Sequence, residues 1–179
     1  MKVQHENIDK STKAQIFILN GHHEIHDGSH FFIQGSVQKD DTATFVISFT
    51  TPATALMHLL MNFSSTLHTS VELLEGAVLG AGGTAITPLN SRRDSSNTSG
   101  GTFKHGQTIT TPGPTSVYKA DFGSDTAAGT KGTGGSGGRE EEIILKAGTS
   151  YTLTITSNTN ANVINYYMGW YEHTDKVAF

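Results

Sequence analysis

The chain has no cysteine among its 179 residues, which excludes disulfides, thiolate zinc sites and cysteine nucleophiles together. Proline is scarce, with four residues, and tryptophan occurs once. Charge is sparse too: Lys, Arg, Asp and Glu make up 16% of the chain, below the ~25% of an ordinary globular domain. Twelve Lys and Arg are outnumbered by sixteen Asp and Glu, for a formal net charge of −4. Neutralising phosphates takes a basic face, so no nucleic-acid partner is expected. Long apolar runs are also missing. Ala53 to Phe63 is the longest apolar neighbourhood, and Thr54, His58 and Asn62 interrupt it. It falls short of the ~20 residues of a membrane helix, so no membrane association is expected. Met1 to Asn7 are polar, without the apolar stretch of a signal peptide. The chain is therefore expected to be soluble and to stay off the usual export route.

Small uncharged residues fill the space these absences leave. Thr (25), Gly (20) and Ser (16) occupy 61 of the 179 positions. Thr suits a pleated surface, while Ser and Gly suit turns, so the mixture predicts short strands joined by loops. It argues against a helical bundle, a coiled coil and a mostly disordered chain.

Period-two alternation is the dominant pattern. In Ser150–Ser157, Tyr151, Leu153 and Ile155 face one way and Thr152, Thr154 and Thr156 the other, as in a half-buried strand. Glu140–Lys146 and Asn162–His173 read as strands on either side, and the three suggest a continuous meander. In the first half, Gln15–Leu19, Ser29–Val37, Thr42–Thr50, His68–Glu75 and Ser116–Phe122 read as strands. Ala55–Phe63 places Ala55, Met57, Leu59, Met61 and Phe63 on one face as a strand. Leu56, Leu59, Leu60 and Phe63 also fit a helix, and its strand-rich neighbours and the Thr-Thr-Pro turn ahead favour the strand. Two Gly- and Ser-rich stretches, Ala77 to Thr102 and Gly123 to Gly138, are expected to be long surface loops. The sum is all-β: a flexible N-terminal arm over residues 1–13, then a single β-sandwich or jelly-roll-like domain over 14–179.

Candidate chemistry concentrates in His22-His23-Glu24-Ile25-His26-Asp27-Gly28-Ser29-His30. On a strand, His22, Glu24 and His26 share a face, and two imidazoles with a carboxylate can ligate zinc or iron. Against that, Asp27-Gly28 is a strong turn pair, and a polar turn whose histidines hydrogen-bond to backbone or to another subunit is the favoured reading. The glycine run Gly129–Gly138 has its Lys131 ahead of most of the glycines and an acidic run behind it, unlike a phosphate loop. No nucleophile elbow is expected, and the Glu140-Glu141-Glu142 run reads as a solvated strand start. Neither enzymatic activity nor a cofactor is expected. On the last strand, Tyr166, Met168 and Trp170 share one face, and Tyr167, Gly169 and Tyr171 the other. One face is expected in the core and the other in a subunit interface, with a sugar-stacking platform as the alternative. Arg92-Arg93 completes the set, as a solvated loop or a contact with an acidic partner.

Four segments resemble a family of small structural proteins encoded by tailed bacteriophages. They are His22 to Phe31, Ala85-Ile86-Thr87-Pro88-Leu89-Asn90 with its Arg-Arg loop, Glu142 to Tyr151, and Trp170-Tyr171-Glu172-His173. The resemblance implies a virion component, and a head decoration (cement) protein on the outer capsid surface is the favoured form. It implies the major capsid protein as partner and brings no catalytic residues. Symmetric self-association, with a trimer favoured, suits such a role. The alternative is a tail or fibre component that binds host glycans through the Tyr and Trp cluster. The contact residues expected under these readings are His22, His23, His26, His30, Arg92, Arg93, Tyr167, Trp170 and Tyr171.

Overall fold

The computed structural model describes residues 20–125, 133–136 and 142–174. The expected arm over 1–13, the expected strand Gln15–Leu19 and most of the glycine run lie outside the described residues. One helix precedes twelve strands among the described residues: α1 (Asn20–Asp27), β1 (His30–Lys39), β2 (Thr44–Thr50), β3 (Leu56–Ser65), β4 (Thr69–Glu75), β5 (Val78–Ile86), β6 (Leu89–Asn90), β7 (Thr102–Thr111), β8 (Thr115–Phe122), β9 (Thr133–Ser136), β10 (Ile143–Leu145), β11 (Ser150–Ser157) and β12 (Asn162–His173).

Two antiparallel sheets pack face to face. The first runs β10-β3-β12-β1-β6, with β9 also beside β3, and the second runs β5-β7-β2-β11-β4-β8. β9 pairs with Asn62–Ser65 and β10 with Met57–Leu59, so together they make one interrupted edge strand. With β5, β6 and β7 set aside, eight strands remain, and each connection between them crosses from one sheet to the other except the one from β4 to its sheet neighbour β8. First pairs with last (β1 with β12), second with seventh (β2 with β11), third with sixth (β3 with the broken edge) and fourth with fifth (β4 with β8). That nesting is a jelly roll, and the expected all-β sandwich is what the chain forms.

Alternation explains the core. Met57, Leu59, Met61 and Phe63 of β3 turn inward, as do Tyr151, Leu153 and Ile155 of β11 and Ile164, Tyr166, Met168 and Trp170 of β12. Phe49 lies 5.1 Å from Phe103 and 5.4 Å from Tyr151, ring to ring. Burying each such side chain stabilises the fold by about 1.5–3 kcal/mol. The Tyr151 hydroxyl donates to Glu75, and burial pushes its pKa up.

Three expectations are corrected. The last three strands do not form a meander, because β10 and β12 lie in the first sheet and β11 in the second. Alternation shows which side of a strand is buried, and it is silent about which sheet the strand joins. The stretch from Ala77 to Thr102 is not a loop throughout. It contains β5, which extends the second sheet by pairing with β7, and β6, which extends the first beside β1. Thr and Gly hide this strand because its outward positions stay exposed and its register shifts at Leu79 and Gly82. Finally, Asn20–Asp27 is helical. Asp27-Gly28 closes that helix instead of making a hairpin turn: Gly28 N–H donates to the Ile25 carbonyl and Ser29 N–H to the Glu24 carbonyl. This is the Schellman pattern, with Gly28 at φ 71°, where a side chain is strained.

Trp170 is fully buried. Its ring stacks 4.5 Å from Phe103 and lies 6.3 Å from Phe31, and its Nε1–H donates to Glu172. Trp170→Ala is expected to cost about 3–5 kcal/mol of stability, read as a lower midpoint in urea unfolding. A change under about 1 kcal/mol would contradict the packing described.

Candidate functional site

Helix α1 and the Ser91–Asn97 turn are tied together at one end of the sandwich, which joins two of the residue groups singled out in the sequence. Arg92 Nη1 donates to the His26 carbonyl at 2.8 Å, and Arg92 Nε pairs with Asp94 at 2.9 Å. The guanidinium holds the Asp94 carboxyl below its ordinary range. The buried Asn90 amide donates to the Gly28 carbonyl at 2.8 Å, and Asn97 reaches the same carbonyl at 3.2 Å. Gly28 cannot be replaced freely here: a Cβ would sit 2.5 Å from Ser95 Oγ. His30 Nδ1 meets Ser91 Oγ at 2.6 Å, and Arg93 Nη1 donates to the Asn90 carbonyl at 3.3 Å. His23, His26, Arg92 and Arg93 are exposed on this clasp, whereas His30 is half-buried at its base. At helix position 22 only the backbone is described.

A second network sits beside the clasp. Glu142 accepts from the Tyr171 hydroxyl at 2.6 Å and contacts His58 Nδ1 at 2.5 Å. The His58 ring stacks on Tyr171 at 4.5 Å and meets His173 at 4.3 Å. His58 Nε2 is buried with no hydrogen-bond partner among the described residues. Glu172 links this corner to the inserted segment, accepting from Ser99 Oγ at 2.5 Å and from Gly100 N–H at 2.8 Å. Sequence reasoning missed His58, Glu142 and Glu172 as a group because β3, the approach to β10 and the end of β12 are far apart in the chain.

The sugar-platform alternative needs correction. Tyr166, Met168 and Trp170 fill the core, and Tyr171 is only 4% exposed. Of the expected contact residues on β12, Trp170 and Tyr171 are therefore interior, and Tyr167 alone keeps a partly open ring. That ring stacks on Phe32 at 5.7 Å and lies over Gly169, where a Cβ would come within 2.7 Å of it. Leu89, opposite Phe32 across the strand pair, and Ile144, opposite His58, are 40% and 57% exposed. The outer side of the first sheet thus carries a partly open aromatic and aliphatic band.

The candidate metal set His22, Glu24 and His26, which needs a strand to share a face, is not brought together. On a helix, Glu24 and His26 point about 200° apart; Glu24 is buried and His26 exposed. The helix instead brings donor atoms of His23, Glu24 and Asp27 within 4.8 Å of one another. Glu24 is already engaged by the Ser29 hydroxyl at 2.5 Å, which competes with any cation. Gly134-Gly135-Ser136-Gly137-Gly138 has the letters of a nucleophile elbow. Ser136, however, ends the edge strand β9, and the next described element is strand β10, not the helix that an elbow opens.

Burial lowers the His30 pKa from its ordinary 6.5, against a smaller raising effect of Glu24. A histidine depressed in the folded state takes up its proton more readily when unfolded, so stability is lost as pH falls below about 6.5. Tm should therefore drop more steeply between pH 7 and 5 in the parent chain than in His30→Asn, as measured by differential scanning fluorimetry. Parallel pH profiles for the two would contradict the assignment.

Searches against family models, curated proteins and solved structures find no match to this chain, so its function rests on the residues and their geometry.

Proposed function

We propose that the chain is a structural component of a tailed-phage particle, a head decoration protein that binds the major capsid protein on the outer shell. One observation carries the reading beyond a likeness of letters. The four segments that resemble the phage family lie far apart in the sequence, yet they meet at one end of the sandwich. Segment 22–31 is bonded to segment 85–97 through Asn90–Gly28 and Arg92–His26. Segment 142–151 meets segment 170–173 through Glu142 and Tyr171, and His30 pairs with Tyr171 across β1 and β12. Residues that resemble a family because of one shared structural corner should converge in this way, whereas chance matches would scatter.

The corner is suited to surface contact. It presents His23, His26, Asp27, Arg92, Arg93 and Asp94 at its exposed rim, where the two arginine side chains are held by hydrogen bonds to backbone carbonyls and so have less entropy to lose on binding. Each bound copy would bridge adjacent capsomers and add contact area that opposes the pressure of packaged DNA. Particles lacking the protein should assemble yet release DNA at a lower temperature than complete ones, and adding the purified chain should restore resistance. Unchanged heat resistance overturns the proposal. Immunogold label over the head supports it, and label confined to the tail counts against it.

A second reading, a tail or fibre component that binds glycans, draws on a different feature. An open groove of about 610 Å3 lies at the end of β1 away from the clasp. There the Phe45 ring sits 5.8 Å from His105 and beneath Lys39 Nζ at 5.9 Å, with the amides of Gln38 and Gln107 at its edge. An aromatic face with amide donors is a common way to hold a sugar. Under this reading the parent chain binds glycans on an array and Phe45→Ala loses them; no binding by the parent dismisses it.

A further inference from the structure

The two outer faces of the sandwich differ in kind. On the second sheet the outward positions are Thr44, Val46, Ser48 and Thr50 on β2, Thr152, Thr154 and Thr156 on β11, and Ser70, Glu72 and Leu74 on β4, with Glu72 opposite Lys119. That face is mostly hydroxyl-bearing and carries charge on β4 and β8, and Ser48 and Thr152 are buried within it. On the first sheet the outward side chains of β1, β3 and β12 include no Lys, Arg, Asp or Glu. In their place stand Phe32 stacked on Tyr167, half-buried Leu60 two strands from Phe32, and the open Leu89 and Ile144 at either edge.

We propose that this outer face of the first sheet is a self-association interface, and that its occupant is a second copy of this chain. Three observations favour a like copy. First, the chain carries net charge −4, so two copies repel, and the repulsion is weakest across a face whose three long strands turn no Lys, Arg, Asp or Glu outward and whose bordering Glu142 carboxylate is bonded to Tyr171 and His58. Second, the polar residues around the aromatic pair are Gln34, Asn62 and Asn165. Each amide is both donor and acceptor, so one patch can satisfy its own image across a symmetry axis. Third, the dimensions fit. Three strands of 10, 10 and 12 residues, with short strands flanking them, cover roughly 20 by 30 Å, on the order of 600–800 Å2, near the ~800 Å2 per partner of a standard interface.

Tyr167 is the expected centre, because its ring is braced by Phe32 and seated over Gly169 and loses little freedom on contact.

The test is sedimentation equilibrium of the full chain over a concentration series. The parent is expected to form a closed oligomer, and Tyr167→Lys to shift it to monomer by placing a charge in the buried centre. Asn62→Arg, at an exposed position on the same face, should do the same without disturbing any core contact, and unchanged circular dichroism and Tm confirm its fold. Thr154→Arg on the second sheet should leave the oligomer intact. A monomeric parent overturns the proposal. So does an oligomer that survives Asn62→Arg, or one that Thr154→Arg dissolves while the fold persists. These outcomes do not depend on whether the chain belongs to a phage particle, so the interface and the decoration role stand or fall separately.

Discussion

The stack of Trp170 on Phe103 is the contact on which the arrangement of the chain turns. Trp170 belongs to β12, at the centre of the first sheet, and Phe103 to β7, which lies outside the eight strands of the roll proper. The segment between β4 and β8 would otherwise be a long excursion rich in Gly, Thr and Ser, with few side chains able to hold it. Phe103 anchors its returning strand in the core, and Ile86, opposite Phe103 on β5, packs against the same cluster. The carboxylate of Glu172 extends the anchor, since it accepts from Trp170 Nε1 and from Ser99 at the same oxygen and from Gly100 N–H at the other. One aromatic stack and one carboxylate thereby turn a mobile composition into a built part of the molecule.

The clasp depends on that anchor. Once the insert is held at Ser99–Phe103, its outward arm returns past β1, and Leu89-Asn90 pairs there with Phe31-Phe32. Asn90 is then close enough to Gly28 to satisfy the carbonyl left by the end of α1, and Asn97 joins it. A polar amide buried at that place is stabilising only with its partners present, because an unsatisfied amide costs about 1–3 kcal/mol. The helix end, the insert and the core are therefore coupled. Loosening Phe103 should loosen the contacts around Arg92 more than its distance from Trp170 suggests.

Sequence alone carried the alternating strands well, because their burial is one-sided. The bounds of β11 and β12 were readable to the residue, and Met57, Leu59, Met61 and Phe63 marked the inner side of β3. Where both sides of a strand are polar or glycine-rich the signal vanishes: β5 and most of β7 show little apolar alternation, since they lie at a solvated edge and β5 runs through register shifts. The helix was hidden for another reason. Asp27-Gly28 favours positive φ equally well in a hairpin turn and in a helix cap, and only the bonds back to Glu24 and Ile25 decide between them. The clasp residues His23, His26, Arg92 and Arg93 were visible as two separate groups. Their union through backbone carbonyls left no trace in the sequence, because any residue supplies a carbonyl.

The distribution of charge then separates two kinds of surface. Arg92, Arg93, Asp94 and Asp27 crowd the rim of the clasp at one end, while β1, β3 and β12 turn no Lys, Arg, Asp or Glu to the outer side of the first sheet, where Glu142 at one border is bonded to Tyr171 and His58. Charged rims set orientation and rate of encounter with a different molecule, and they lose strength as salt rises. Neutral faces with aromatic centres derive affinity from desolvation and tolerate salt. Under the proposed reading, in which copies first associate with one another and then settle on a larger lattice, both kinds of surface are used in turn. If copies associate through the first sheet as proposed, each assembled unit would carry more than one clasp. Binding through several clasps multiplies weak contacts into stable attachment, which lets each clasp remain small and its individual ion pairs remain weak.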